Sequence, residues 1–193
     1  LYFSGTTFVT LGYGDIVPTR MWGRALSVAE AGIGFGFLAI MVSYLPILYQ
    51  AFSRREITIS LLDARAGSPP TAGELLRRLA AARSLASTEA LLIEWERWAA
   101  ELLESHVSFP VVSYYRSQHD NQSWVATLTL ILDTSALLIA SVDGPDSHQA
   151  RLTFAMARHA AVDLGLVFHT PPRPPASDRL CQADFIRLRD SLY

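Results

Sequence analysis

The sequence has 193 residues, of which 50% are hydrophobic and 18% are charged, and its formal net charge is −2. A mean hydropathy of +0.23 is high for a soluble domain and low for a protein with many membrane spans, so we expect a chain that combines both kinds of region. The near-neutral charge, without a basic run, argues against nucleic acid as a partner. The single cysteine, Cys181, excludes an internal disulfide framework.

The first nine residues are apolar or carry hydroxyl groups, and they predict a short helix that leads into the stretch TLGYGD at residues 10–15. In this stretch two glycines flank a tyrosine, a threonine opens the run and an aspartate closes it. Because glycine adopts backbone conformations closed to other residues, Gly12 and Gly14 allow successive carbonyl groups to point to the same side. A ring of such carbonyls can replace the water shell of a dehydrated cation.

The stretch TLGYGD resembles the selectivity filter of potassium channels. Residues 1–9 resemble the second half of the pore helix that precedes this filter, and residues 22–24 (WGR) resemble the start of the inner helix in small bacterial potassium channels. The family usually has threonine where this chain has Val9 and valine where it has Leu11; the second change is conservative, because the backbone carbonyl coordinates the ion. The resemblance covers residues 1–54 and implies a pore followed by a cytoplasmic helical domain at residues 55–193.

The resemblance also implies a site and an assembly. Its ion-coordinating residues are Thr10, Leu11, Gly12, Tyr13 and Gly14. Asp15 and the pore-helix residues Thr6 and Thr7 are expected to support the shape of the filter. Potassium is the permeating ligand, with no catalytic residue, no bound metal and no other cofactor expected. Because four pore loops close such a filter, the expected unit is a homotetramer in contact with membrane lipid.

A potassium pore has an outer helix before its pore helix, whereas this sequence begins within the predicted pore helix, at Leu1. We therefore expect the sequence to be a fragment, with the first transmembrane helix upstream of it.

From Met21 to about Phe52 the chain is almost uniformly apolar, and about 30 residues at about 1.5 Å each form a helix long enough to cross a bilayer. Aromatic and then basic residues follow the pattern of an interface and a cytoplasmic end: Tyr44, Tyr49, Arg54 and Arg55. The filter is therefore expected to face outward and the residues after Arg55 to be cytoplasmic. The absence of lysine from the 16 basic residues favours a bacterial protein, hence a bacterial inner membrane.

Three residues of this helix are candidates for a role in gating. Gly34 lies where the family has its hinge glycine, and Pro46 is expected to kink the helix near the inner mouth; packing is the alternative role of the glycine. Glu30 is a carboxylate within an apolar helix, one turn before Gly34, which makes it a functional candidate. It can face the cavity, bond to Thr6 or Thr7, or serve as a structural acid.

The rest of the chain predicts an all-α fold. The inner helix is expected to continue to Ala64 and to stop at Gly67, and Thr71 and Glu74 predict a capping box. A helix opened by Ser87 or Thr88 carries an apolar stripe: Leu91, Leu92, Trp95, Trp98, Leu102 and Leu103. Residues 147–168 predict a helix with these residues inward: Leu152, Ala155, Met156, Ala160 and Leu164.

Residues 123–142 form a second apolar window. The central Asp133, the hydroxyl residues and the missing basic flank favour a helix of a soluble bundle over a membrane span. We therefore expect residues 68–193 to fold alone.

Two alternatives to the channel function remain open. The first is a membrane-tethered cytoplasmic helical module that senses or binds a ligand, whose partner the sequence does not specify. The second is a tethered enzyme domain built on His119 or His159, although no nucleophile and base occur at a convincing spacing.

Overall fold

The computed structural model describes residues 1–82, 85–141, 147–174 and 180–190. All regular structure in these ranges is helical, which confirms the predicted all-α class. The α-helices are α1 (Tyr2–Phe8), α2 (Met21–Ala66), α3 (Ala72–Ala82), α4 (Leu85–Ser108), α5 (Trp124–Ser141), α6 (His148–Val167) and α7 (Gln182–Asp190). A 3-10 helix at Pro110–Tyr114 follows α4.

The chain forms two compact units, Leu1–Gln50 (unit 1) and Ala51–Tyr193 (unit 2). Helix α2 contributes residues to both, and it continues through Pro46 as one helix. The sequence placed the division at residues 54 and 55, four residues later.

Unit 1 contains α1, the loop after it and the first part of α2, and it has no core of its own. Among residues 1–50, only Gly34 and Leu48 are buried. Large apolar side chains lie exposed along α2: Trp22, Leu26, Ile33, Phe35, Phe37, Ile40 and Val42. A helix that is apolar all round needs lipid or protein around it. By length and composition, α2 is able to cross a membrane.

Local sequence rules correctly predict where α2 ends and where α3 begins. Gly67 has a φ of +84°, and its amide donates to the carbonyl of Asp63 at 3.0 Å, so a left-handed glycine ends the helix. The backbone amide of Glu74 donates to Oγ1 of Thr71 at 3.3 Å, which is one half of the predicted capping box.

The core of unit 2 is formed by the end of α2 together with α3, α4, α5 and α6. The apolar stripe of α4 is confirmed as core, with Trp95 and Trp98 buried. Ile59, Leu62 and Ala66 of α2 are buried in the same cluster. The stretch 68–193, which the sequence predicts to fold alone, therefore lacks part of the core that the structure shows.

The side with which α6 faces the core agrees only in part with the prediction: Ala160 and Leu164 are buried as predicted, and Met156 packs against the core. Leu152 and Ala155 are exposed, and the buried positions are Ala150, Thr153, Ala157, Ala160 and Leu164. The buried hydroxyl of Thr153 donates to the carbonyl of Leu92 at 3.0 Å, which satisfies it inside the core. Small alanine side chains allow α6 to approach α4 closely, and Leu152 is left outside.

Helix α5 packs against α6 and α3 within unit 2. Its buried residues are Thr127, Leu128, Leu130, Ile131, Thr134 and Ser135. This is the packing expected of a bundle helix. By length and composition alone, α5 would also be able to span a membrane.

Candidate functional site

The loop that carries TLGYGD has an unusual backbone. Thr10, Gly12 and Gly14 have positive φ angles of 59°, 56° and 77°, whereas Leu11 and Tyr13 between them do not. Left-handed and ordinary conformations therefore alternate from residue 10 to residue 14. A positive φ costs glycine little, but it is uncommon for a β-branched residue such as threonine. The surroundings of Thr10 must therefore hold this conformation.

The C-terminal end of α1 holds the loop through main-chain hydrogen bonds. The amides of Leu11 and Gly12 both donate to the carbonyl of Thr6, at 2.8 and 3.3 Å, and the amide of Thr10 donates to the carbonyl of Thr7 at 3.1 Å. The hydroxyls of Thr6 and Thr7 donate to the carbonyl of Phe3, within α1 itself. Thr6 and Thr7 thus reach the loop through their carbonyls and not through their side chains.

A side-chain interaction joins the two ends of this segment. The hydroxyl of Tyr2, at the start of α1, interacts with the carboxylate of Asp15, at the end of TLGYGD. The aspartate is therefore tied to the helix that precedes the loop.

Gly34 of α2 lies against the C-terminal end of α1. A Cβ atom at this position would lie 1.8 Å from the carbonyl oxygen of Phe8, a distance that no side chain can adopt. Equivalent atoms at Gly32 and Gly36 would meet nothing within 4 Å. Gly34 thus allows α1 and α2 to pack closely, which is the role that the sequence left open beside that of a hinge; the hinge stays a prediction.

Glu30 also contacts α1, through a residue that the sequence analysis missed. The hydroxyl of Ser4 donates to Oε1 of Glu30, so the partner on α1 is a residue other than Thr6 or Thr7, the two that the sequence analysis considered. The contacts Ser4–Glu30 and Phe8–Gly34 advance four residues along both helices, so α1 and this part of α2 run side by side in the same direction. To identify Ser4 as the partner of Glu30 from the sequence, one would have to know which residues of α1 and α2 lie side by side.

The histidines considered for an enzyme or metal site lie on the surface. Nε2 of His159 is 3.4 Å from Oδ2 of Asp163, one turn along α6; the histidine side chain is largely exposed and the aspartate side chain is half-buried. His119 is exposed in the loop before α5. Across the described ranges, no group of three or more His, Cys, Asp or Glu residues is arranged to hold a metal ion.

Comparisons with known proteins give matches to unit 1 and a match along nearly the whole chain. Residues 1–51 match the model of a family described as "Ion channel". Two-pore potassium channel 5 of Arabidopsis thaliana is 46% identical over 43 residues, which cover 22% of this chain and 10% of that protein. The uncharacterized membrane protein YdjJ of Bacillus subtilis is 26% identical over 194 residues, which cover 99% of this chain and 55% of that protein.

The chain thus spans about half the length of YdjJ, and its match to two-pore potassium channel 5 covers a tenth of that protein. No solved structure matches it. Together with the apolar helix α2, the matches support a membrane location for the chain and a channel-like role for its residues 1–51.

Proposed function

We propose that the chain is a subunit of a potassium-selective channel that conducts ions passively. The observation that carries this proposal is the alternating backbone of residues 10–14, held by the carbonyls at the end of α1. Potassium ions shed their water and are coordinated by the carbonyls of Thr10 through Tyr13 and by the hydroxyl of Thr10. The glycine at position 14 allows the chain to leave the filter, and Asp15 fixes its outer end.

The proposed assembly is a homotetramer in the cell membrane. One chain supplies one side of a coordinating ring, and four chains close it. The exposed positions of Leu11 and Tyr13 and the apolar surface of α2 support this assembly, because neighbouring copies and lipid would cover them. In the proposed orientation the filter faces outward, the residues after Arg55 are cytoplasmic, and α2 gates the pore near Gly34 and Pro46.

The test is ion flux through the full-length protein reconstituted in liposomes. We expect potassium to permeate far better than sodium, and we expect Gly12→Ala to abolish the flux, because its φ of +56° strains any residue with a Cβ atom. Gly5→Ala is the matched control, because Gly5 lies within α1 and has open space around it. Equal permeation of sodium and potassium by the wild type would refute the proposed selectivity.

One observation favours the second candidate function, a ligand-binding module in unit 2. A cavity of about 490 Å³ lies between α2, α3 and α4, with Leu75 and Leu91 on its floor and Arg65, Arg78 and Glu94 among its lining residues. This volume lies within the range of small-molecule sites, about 300–1,000 Å³. The test is mass spectrometry of small molecules that co-purify with the wild type but not with Ala90→Trp, which fills the cavity. The same bound molecules in both proteins would argue against the site.

A further inference from the structure

Arg55 joins α2 to two later parts of unit 2. It is only 3% exposed. Its Nη1 donates to the carbonyl of Val112 at 3.1 Å and its Nη2 to the carbonyl of Tyr115 at 2.7 Å, so one side chain binds the 3-10 helix and the residue after it. Its guanidinium also lies over the ring of Phe52, 5.1 Å from the centroid. The sequence pattern instead places Arg55 at a membrane interface, where Arg54 is indeed exposed.

His106 of α4 meets Arg55 inside this junction. The imidazole is fully buried, and its Nδ1 lies 2.8 Å from the carbonyl of Leu102. Because a carbonyl only accepts, Nδ1 carries the proton. Nε2 therefore presents its lone pair to Nη1 of Arg55, 3.4 Å away. The neutral imidazole is thus an acceptor for the buried cation.

No carboxylate among the described residues bonds to the imidazole, so none balances a positive charge on it. From α5 the ring of Trp124 packs at 4.9 Å, and from α4 the hydroxyl of Ser105 lies 3.2 Å from Nδ1. From α2, Oε1 of Glu56 accepts from Arg55 and from Ser117, while Oε2 has no hydrogen-bond partner among the described residues. The carboxylate is therefore engaged with Arg55 and not with the imidazole.

Protonation of Nε2 would replace an acceptor with a donor that points at another donor, and it would bury a second cation beside the first. The pKa of His106 is lowered from the usual 6.5 to about 4. Burial is the main cause, and the charge of Arg55 acts in the same direction. The imidazole therefore binds a proton more readily when His106 and Arg55 are apart (the open junction) than when they are in contact (the closed junction). The contribution of this junction to stability is complete above pH 6.5, and it is lost as the pH falls towards 4.

We propose that Arg55 and His106 form an acid-sensitive latch, in which a proton on His106 releases the end of α2 from α4 and the 3-10 helix. Because α2 also carries the apolar segment of unit 1, the latch gives cytoplasmic acidification a route to the pore. This last step rests on the proposed channel function, whereas the latch itself does not.

Hydrogen exchange of the full-length protein in lipid nanodiscs tests the latch. With pKa values of 6.5 when open and about 4 when closed, lowering the pH from 7.5 to 5 raises the opening equilibrium about 30-fold. We expect the amides of Val112 and Tyr115, which bond within the 3-10 helix, to exchange about 30-fold faster relative to their intrinsic rates. Equal protection at both pH values would overturn the proposal.

Two variants test whether the pH dependence of the exchange arises from His106 or from another group. His106→Gln keeps an acceptor but cannot be protonated, so its exchange is expected to be the same at both pH values. His159→Gln removes an exposed histidine and is expected to behave as the wild type. A pH dependence that persists in His106→Gln would refute the latch.

Two further measurements complete the test. If His106→Gln fails to fold, an NMR titration of the wild type decides, because an imidazole midpoint at 6.5 or above in the closed state contradicts the geometry. Potassium flux at the two pH values tests the route to the pore. A pH-dependent exchange with constant flux would overturn that route alone and leave the latch standing.

Discussion

Replacing Arg55 with methionine removes the charge and the hydrogen bonds at the junction but keeps most of the apolar length of the side chain. Three things follow inside unit 2. The carbonyl of Val112 loses a buried donor, that of Tyr115 loses another, and the carboxylate of Glu56, 8% exposed, loses its ion pair at 2.9 Å. All three consequences arise from one side chain.

The structure indicates that Arg55→Met strongly destabilises unit 2. The carbonyl of Val112 keeps the amide of Tyr115 as a donor, so the lost hydrogen bonds cost less than the charge that is left behind. A buried charge left unpaired costs about 3–5 kcal/mol. These costs overlap, because Glu56 and the carbonyls share one guanidinium. We therefore expect Arg55→Met to lower the free energy of unfolding of unit 2 by about 3–5 kcal/mol, a large part of the total for a domain of this size.

The assay is urea unfolding of the detergent-solubilised protein, followed by tryptophan fluorescence. Three of the four tryptophans, Trp95, Trp98 and Trp124, lie in unit 2, so a Trp22→Phe background restricts the signal to that unit. The matched control is Arg54→Met, one residue earlier and exposed, for which a change within about 0.5 kcal/mol is expected.

A double variant tests the physical reason. Arg55→Met with Glu56→Gln leaves no unpaired charge, so it is expected to be more stable than Arg55→Met alone. If Arg54→Met and Arg55→Met destabilise unit 2 equally, or if the double variant is the less stable of the two, the buried pair does not hold the junction.

Three more predictions concern packing. Gly34→Ala is expected to prevent formation of a conducting channel, because its Cβ would collide with α1, whereas Gly32→Ala, with open space, is expected to conduct in the same liposome assay. Ser4→Ala and Glu30→Leu are expected to change channel opening in the same way, because each breaks one hydrogen bond; unequal effects in single-channel recordings would separate the two residues. Residues 51–193 are expected to give a cooperative unfolding transition by circular dichroism, and the shorter stretch that begins after α2 is expected to lose it, because Ile59, Leu62 and Ala66 are part of the core.

Local chemistry made much of the fold predictable from sequence. The glycine that ends α2, the threonine that caps α3 and the apolar stripe of α4 each depend on residues within a few positions of one another. The burial of Thr153 was not predictable from α6 alone, because its hydroxyl donates to the carbonyl of Leu92, 61 residues earlier. Hydrophobicity alone would never place a threonine in a core and a leucine outside it.

The candidate site shows the same limit. The pattern TLGYGD indicates a backbone conformation, and the structure has positive φ at three of its positions. The environment of Arg55 could not be read from its neighbours, because an arginine after a long apolar run has the same local pattern at a membrane interface and in a buried junction. Its carbonyl partners lie 57 and 60 residues later. The hydrogen-bond partner of Glu30 likewise could not be predicted without knowing which residues of α1 and α2 lie side by side.

The contact between Phe8 and Gly34 links the opening of the proposed channel to its preference for one ion. Two residues before Phe8, the carbonyl of Thr6 holds the amides of Leu11 and Gly12. Less than one turn of α1 therefore separates the surface of α2 from the backbone proposed to coordinate potassium. In the proposed channel, a displacement of α2 at Gly34 would move the coordinating carbonyls as well, so variants that change opening at this position are expected to change ion preference with it.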